Sequence, residues 1–410
     1  MSFTQKWSRW ALFNFVLLAL VGVLLRYKIL YPLPLVDQKN LLHAHSHFAF
    51  AGWVTLALFV CIISILQPTP QQQQQFNQVL QMQQVSSYGM LLSFPFMGYA
   101  PVSIAFSTLS ILVSFWFVVI AWKIIKQHTG LSIEKKWLYA ALLSNVISAA
   151  GTFTLAYLMA TKTVQQNWYF GSVYFYLHFQ YNGWFLFTIF ALFFNQVKQW
   201  MNTSLVRSSH HFFIGLIVSL IPAWFLSLMW MRLPQWMFAV GTMAALIQLI
   251  ALAIFIRLFL QLKKQLSTTL HRFVKWIWLF SASAFTLKII LQAFSAIPEL
   301  NKFAFGIRPI IIGFLHLVLL GFVSLFILGY LLQQQLLSLQ QKSAAFGLWL
   351  FVFAMVLNEV LLMGQGMAAI SYSHFPYGNQ LLLGAAILMF AGLLVVYSSQ
   401  ASKQLPQSKT

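Results

Sequence analysis

The residues of this chain best suited to chemistry are histidines that open apolar segments. His43, His45 and His47 lie in LLHAHSHFAFAGW, His178 lies in YLHFQYNGW, and His316 lies in GFLHLVLLGF. Imidazole is a common ligand for haem iron, copper and zinc. On a helix that turns about 100° per residue, His43 and His47 share a face and His45 points nearly opposite. The first group can therefore serve two separate centres.

The three histidine segments share a local pattern, in which a histidine is followed five residues later by glycine and then by an aromatic residue. The pattern reads HFAFAGW from His47, HFQYNGW from His178 and HLVLLGF from His316, with separations of 131 and 138 residues. These separations predict a pseudo-threefold repeat of four helices each. For a single histidine, a helix–helix hydrogen bond is the simpler interpretation. Three histidines at one membrane depth favour ligand binding.

The composition places these histidines in a membrane. Of 410 residues, 60% are hydrophobic and only 7% are charged, whereas soluble domains average about 25% charged residues. The apolar runs reach about 20 residues, enough to cross the hydrocarbon core as helices. They lack the alternation of barrel strands, so helices are the structure that satisfies the backbone in lipid. We predict an all-α, polytopic transmembrane bundle of about twelve spans, forming one domain over residues 1–410.

Loop charges decide between eleven and twelve spans, because the stretch 76–98 begins with the polar string FNQVLQMQQV. With twelve spans and both termini inside, fifteen of the 24 Lys and Arg residues lie inside, seven lie outside and two lie within helices. With eleven spans this asymmetry disappears, so the positive-inside rule favours twelve. The glutamines of 71–84 then lie within the bundle or at its cytoplasmic edge. We predict a multi-pass protein of a bacterial plasma (inner) membrane with cytoplasmic termini and with its histidine segments in the outer third.

The formal net charge of +20 arises from basic loops set against only four acidic residues. Basic loops lie well against anionic lipid headgroups, so the bilayer is the predicted partner. No aromatic–basic motif for nucleic acid is present, and we predict no nucleic-acid binding. Lys288 and Glu359 are ionisable residues in spans 9 and 11, and we interpret them as a buried ion pair.

The histidine segments resemble the catalytic subunit I of the haem–copper oxidase superfamily, which includes the nitric oxide reductases. HSHFAFAG at 45–52 is similar to the family motif H-G-H-L-A-F-Y-G, whose two histidines hold two haems. HFQYNGWF at 178–185 resembles the reductase motif H-L-W-V-E-G-F-F, whose histidine binds the second metal, and so does HLVLLGF at 316–322. The family places its double-haem motif on helix 10, whereas here it lies on span 2. Asn182 and Leu320 stand where the reductases carry glutamate.

The resemblance implies one or two b-type haems, with copper or non-haem iron as a second metal. The expected haem contacts are three axial histidines and an arginine for the propionates, namely His45, His47, His316 and Arg308. The expected contacts of the second metal are His43, His178 and Tyr181. His316 ranks above His178 as an axial ligand, because its helical neighbours are apolar and would leave an unliganded imidazole unpaired. For Arg308, a snorkelling interfacial arginine is the alternative.

These expectations favour a membrane b-type haem protein that acts in electron transfer or in binding or reduction of a diatomic gas. It would be an oxidoreductase of the haem–copper oxidase type, with an electron-donor subunit or a quinol as partner. Two alternatives remain open at this point. One is a haem or metal sensor without turnover, and the other is a secondary transporter with a histidine site between its repeats.

Overall fold

The computed structural model describes residues 1–163, 165–231 and 233–400, and every regular element within these ranges is helical. A short helix, Pro298–Gly306, precedes the tenth of the long helices. The long helices are α1 (Phe3–Leu30), α2 (Gln38–Leu66), α3 (Pro70–Met97), α4 (Pro101–Gln127), α5 (Ile133–Ala160), α6 (166–197), α7 (Thr203–Leu220), α8 (Gln235–Thr269), α9 (Arg272–Phe294), α10 (Arg308–Gln333), α11 (Lys342–Ile370) and α12 (Gly378–Ser398).

Within the described ranges, nine of these helices are long and apolar enough to cross a membrane. A tenth span results if α7 is counted together with the 3-10 segment Pro222–Leu228, which continues it at a bend of 51°. The chain is thus an all-helical, multi-pass membrane protein, as its composition predicts. The two remaining long helices, α3 and α6, carry more polar side chains, and these side chains belong to the sites described below.

The contacts divide the chain into two compact units. Unit 1 comprises Met1–Ile120 and the chain from Ile327 onward, and unit 2 comprises Ala121–Phe326. In unit 1, α2 packs against both α1 and α3, and 94% of its most apolar 18-residue window is buried. In unit 2, α6 packs along α5. The single domain over residues 1–410 stays a prediction.

Asp37 determines where α2 begins, and therefore where the histidines lie on it. Its carboxylate accepts hydrogen bonds from the backbone N–H groups of Lys39 and Asn40 at 2.9 and 3.0 Å. These donors would otherwise lack partners in the first helical turn. The hydrogen bond from Asn40 is the main reason that the pKa of Asp37 lies below its ordinary value. The three histidines of α2 follow within the next three turns.

Each of the three histidine helices contains a π-helical segment that begins one or two residues after the histidine that begins the sequence pattern. The glycine of each pattern, Gly52, Gly183 or Gly321, lies within its segment. A π-helix closes its hydrogen bonds one residue later than an α-helix, and it occurs frequently at functional sites. The local repeat of sequence therefore coincides with a repeat of backbone geometry. The segments are Ala49–Thr55, Phe179–Phe185 and Leu317–Ser324.

Candidate functional site

Side-chain amides from α1 and α3 bond the backbone of the first π-helix. Asn14 donates from Nδ2 to the carbonyl oxygen of Gly52 at 2.6 Å, and Gln83 donates from Nε2 to that of Ala51 at 3.0 Å. Both side chains are buried. Asn14 also exchanges hydrogen bonds with the Gln84 amide. Gln83 and Gln84 of α3 thus face protein, whereas the glutamines from 71 to 81 are mostly exposed, and their predicted position at a cytoplasmic edge stays a prediction.

The histidines of α2 point to two different faces, as helical geometry predicts. His47 stacks on Phe94 with a centroid separation of 4.5 Å, and its Nε2 lies 3.2 Å from the hydroxyl of Tyr99. The ring of His43 meets the ring of Tyr99 edge-on at 4.7 Å. His45 instead contacts α1. The prediction that His43 and His47 share a face is therefore confirmed.

The imidazole of His45 has one ring nitrogen without a hydrogen bond. Its Nδ1 is buried and has no hydrogen-bond partner among the described residues. The backbone of Leu18 in α1 lies close to the ring. A neutral histidine binds a metal through the ring nitrogen that carries no hydrogen, so Nδ1 is the candidate ligand atom.

One face of α1 accommodates the His45 ring. A Cβ at Gly22 would lie 3.4 Å from Cε1 of His45, so glycine allows the ring to approach. Arg26, one turn further along, interacts electrostatically with both His45 and Glu359 of α11. Sequence reasoning assigned Arg26 only to loop charge. The spacing of four residues from Leu18 to Gly22 to Arg26 is the signal that could have placed all three on one face.

His43 carries a second ring nitrogen of the same kind. Its Nε2 is buried and has no hydrogen-bond partner among residues 1–163, 165–231 and 233–400. The aromatic rings of Phe94 and Tyr99 lie beside it. Unit 1 thus holds two imidazole nitrogens that are removed from water and available to a ligand.

His178, in contrast, has partners at both ring nitrogens. Its Nε2 donates to the carbonyl oxygen of Leu220 at 2.7 Å, and its Nδ1 accepts from the Asn182 amide at 3.2 Å. The Leu220 carbonyl is available because α7 breaks before Pro222, and the N–H of Trp224 bonds the carbonyl of Ile221 instead. A metal at His178 would have to displace one of these two partners.

Lys288 extends this chain of hydrogen bonds. Its ammonium group donates to the Oδ1 of Asn182, and both Lys288 and His178 are 2% exposed. Within unit 2 the partner of Lys288 is thus an amide, and its pairing with Glu359 of unit 1 stays a prediction. Tyr181, the tyrosine expected at the second metal, is buried in the same π-helix.

The third histidine helix differs from the expectation derived from its apolar sequence. His316 is only partly buried and interacts with another group, and its role as an axial ligand stays a prediction. The π-helix that follows it is bonded from α9, where the Ser281 hydroxyl donates to the carbonyl of Phe322 at 2.8 Å. Arg308 is exposed in the first turn of α10, as the snorkelling alternative predicts.

No set of three or more His, Cys, Asp or Glu side chains converges as a metal site in the part of the chain that the structure describes. A cavity of about 490 Å³ lies on α8, and none of the candidate histidines lines it. A comparison with models of known protein families gives no match, and no curated protein matches the chain. The functional interpretation therefore depends on the geometry of individual side chains.

Proposed function

We propose that the chain is a membrane b-type haem protein, related in fold to the haem–copper oxidases, that acts in electron transfer or in binding or reduction of a diatomic gas. The arrangement at His45 carries this proposal, because its Nδ1 is buried and has no hydrogen-bond partner among the described residues. An unpaired buried polar atom costs about 1–3 kcal/mol, a cost that coordination to iron would remove. Bound haem would supply one-electron redox chemistry or an open site for a gas ligand.

Among the residues of unit 1, His45 is the strongest candidate for an axial ligand, and His43 is the second. His47 is weaker than the sequence suggests, because its Nε2 is engaged with the hydroxyl of Tyr99. Arg26 is partly buried one helical turn after Gly22, and it is a candidate for a haem propionate beside the exposed Arg308, because arginine forms bidentate pairs with carboxylates. His316 stays a predicted axial ligand, and copper or non-haem iron stays a predicted second metal.

We also propose twelve spans in a pseudo-threefold arrangement, with both termini cytoplasmic in a bacterial inner membrane. The length of α3 and the bonding of its buried amides to α2 support its inclusion as a span. The three π-helical segments after the matching histidines support the repeat. An electron-donor subunit or a quinol is the partner that such a protein requires.

Reduced-minus-oxidised absorbance of the purified protein tests the haem proposal. We expect a b-type signal in the wild type, loss of at least half of it in His45→Ala, and full retention in His211→Ala. His211 is an exposed histidine on α7 and serves as the matched control. A protein purified without haem after expression with sufficient haem supply would overturn the proposal. Equal haem content in both variants would show that His45 is not an axial ligand.

A secondary transporter is the second candidate, and the chain from Lys288 through Asn182 to His178 supports it. An ionisable residue inside a membrane protein often marks a substrate or ion pathway. Proton flux into proteoliposomes, followed with an enclosed pH dye, tests this alternative. A proton flux that disappears in Lys288→Met and is retained in Lys302→Met would favour a transporter. No proton flux in the wild type would exclude proton transport along these three residues.

A further inference from the structure

A cluster of basic side chains lies at one end of unit 2, where α4 ends and α5 and α7 begin. Its members, which we call the basic cluster, are Lys126, Lys135, Lys136, Arg207 and His210. Lys126 precedes the short connection to α5, and Lys135 donates to its carbonyl oxygen at 3.2 Å. The basic cluster therefore lies where these helices would leave the membrane.

Lys136 and His210 form the centre of the basic cluster. The Nζ of Lys136 lies 3.1 Å from Nδ1 of His210 and 5.2 Å from the centre of the Phe213 ring. An ammonium group can only donate, so Nδ1 accepts and Nε2 of His210 carries the ring hydrogen. Two groups that donate hydrogen bonds are thus held side by side at the helix ends.

The acidic side chain at this end of unit 2, Glu134, already has partners. Glu134 is fully buried, accepts a hydrogen bond from the N–H of Ser132 at 3.0 Å, and lies 3.5 Å from the Nζ of Lys198. Glu134 thus already forms an ion pair with Lys198. Lys136 and Arg207 consequently have no carboxylate partner there. Their charges remain available to an external anion.

The face of α7 that carries His210 continues as an apolar surface. Ile214 and Val218 follow at spacings of four residues and are 42% and 56% exposed. A helix face that begins with basic groups and continues with exposed apolar side chains matches a phospholipid, whose phosphate lies at the interface and whose acyl chains extend along the helix.

We propose that the basic cluster binds the phosphate of an anionic phospholipid headgroup, with Lys136 and His210 as its central contacts. Basic groups between transmembrane helices are suited to such headgroups, and each one near the surface contributes about 1 kcal/mol. The lipid is favoured over free phosphate because the exposed apolar side chains Ile214 and Val218 follow His210 on the same face of α7.

Native mass spectrometry of the full chain from nanodiscs of phosphatidylcholine with 10 mol% phosphatidylglycerol tests this proposal. We expect the double variant Lys136→Gln/His210→Gln to retain phosphatidylglycerol at least fivefold less than the wild type, since 1 kcal/mol corresponds to about fivefold in affinity. Lys263→Gln/Lys264→Gln removes two exposed charges from α8 and should retain the lipid as the wild type does.

Two results would overturn the proposal. Equal loss of lipid in both double variants would indicate general charge attraction rather than a site. Displacement of the lipid by millimolar inorganic phosphate would indicate a site for free phosphate. His210→Gln alone, at an exposed position, serves as a second variant if the double variant does not fold, and it too should show reduced retention.

Discussion

The side-chain amide of Gln83 donates a hydrogen bond to the carbonyl oxygen of Ala51, 3.0 Å away, within the first π-helix. Gln83 is 1% exposed and also donates to the hydroxyl of Ser110 at 3.3 Å. Gln83 thereby joins α3 to α2, the helix that carries the candidate ligands, and to α4. This contact explains why a glutamine is buried in the otherwise apolar second half of α3.

Gln83→Leu should destabilise the protein by about 1–2 kcal/mol, because it removes two buried hydrogen bonds. The measurement is the thermal or denaturant midpoint in detergent. Gln81→Leu makes the same chemical change two residues away at an exposed position, and it should have little effect. Equal midpoints in both variants would contradict the role assigned to Gln83.

The class of fold follows from composition alone, because long apolar runs with few charges have no other stable arrangement. The two faces of α2 also follow from the sequence, since they depend only on the helical repeat. The partners of individual side chains do not. The bond from His178 to Leu220 arises because Pro222 breaks a helix 42 residues further along. Local spacing contains no information about such a contact.

His178→Ala should lower stability by about 2–3 kcal/mol, because it leaves the Leu220 carbonyl and the Asn182 amide unpaired in a buried site. If haem is bound through unit 1, the haem content per folded protein should not change. His211→Ala is the exposed control on α7. A His178→Ala variant that is fully stable but has lost a metal signal would restore the predicted metal role of His178.

Gly22→Leu should perturb His45, the candidate ligand, although the mutated residue forms no side-chain hydrogen bond with it. A Cβ at this position would already be in contact with the His45 ring at 3.4 Å, so we expect the larger leucine side chain to press on the imidazole. We expect a shifted or lost low-spin haem spectrum. Gly384→Leu on α12 is a matched control, because nothing lies within 4 Å of its Cβ position. Identical spectra in both variants would argue against ligation by His45.

Asp37→Ala should loosen the start of α2, because the carboxylate caps the N–H groups of Lys39 and Asn40. Hydrogen exchange at these amides measures the effect, and Asp37→Asn should largely preserve protection because asparagine is also a good cap. The folded pKa of Asp37 lies below its ordinary value. The stabilisation is therefore present above about pH 4 and is lost as the pH falls through the folded pKa. In Asp37→Asn, protection should not change over this range.

Reporter fusions test the proposed topology. Fusions after Thr69 and after Gly130 should both report the cytoplasm, and a fusion after Lys39 should report the outside, as the loop charges predict. If the fusion after Thr69 reports the cytoplasm and the fusion after Gly130 reports the outside, α3 is not a span. A cytoplasmic result at Lys39 would place the start of α2, and its histidines, on the other side of the membrane.

Because of the π-helical segments, the direction in which side chains of these three helices point depends on the number of residues in each segment as well as on their types. Each segment holds one residue more per hydrogen-bonded ring than an α-helix, so a helical wheel drawn straight through Ala49–Thr55 assigns the later residues of α2 to the wrong side. Deleting one residue from this segment would restore a continuous α-helix. Because the residue removed is the extra one, the histidine turn would keep nearly its present orientation relative to the buried half of the helix, whereas deleting one residue from Leu56–Leu66 would rotate the turns on either side of the deletion by about 100° relative to each other.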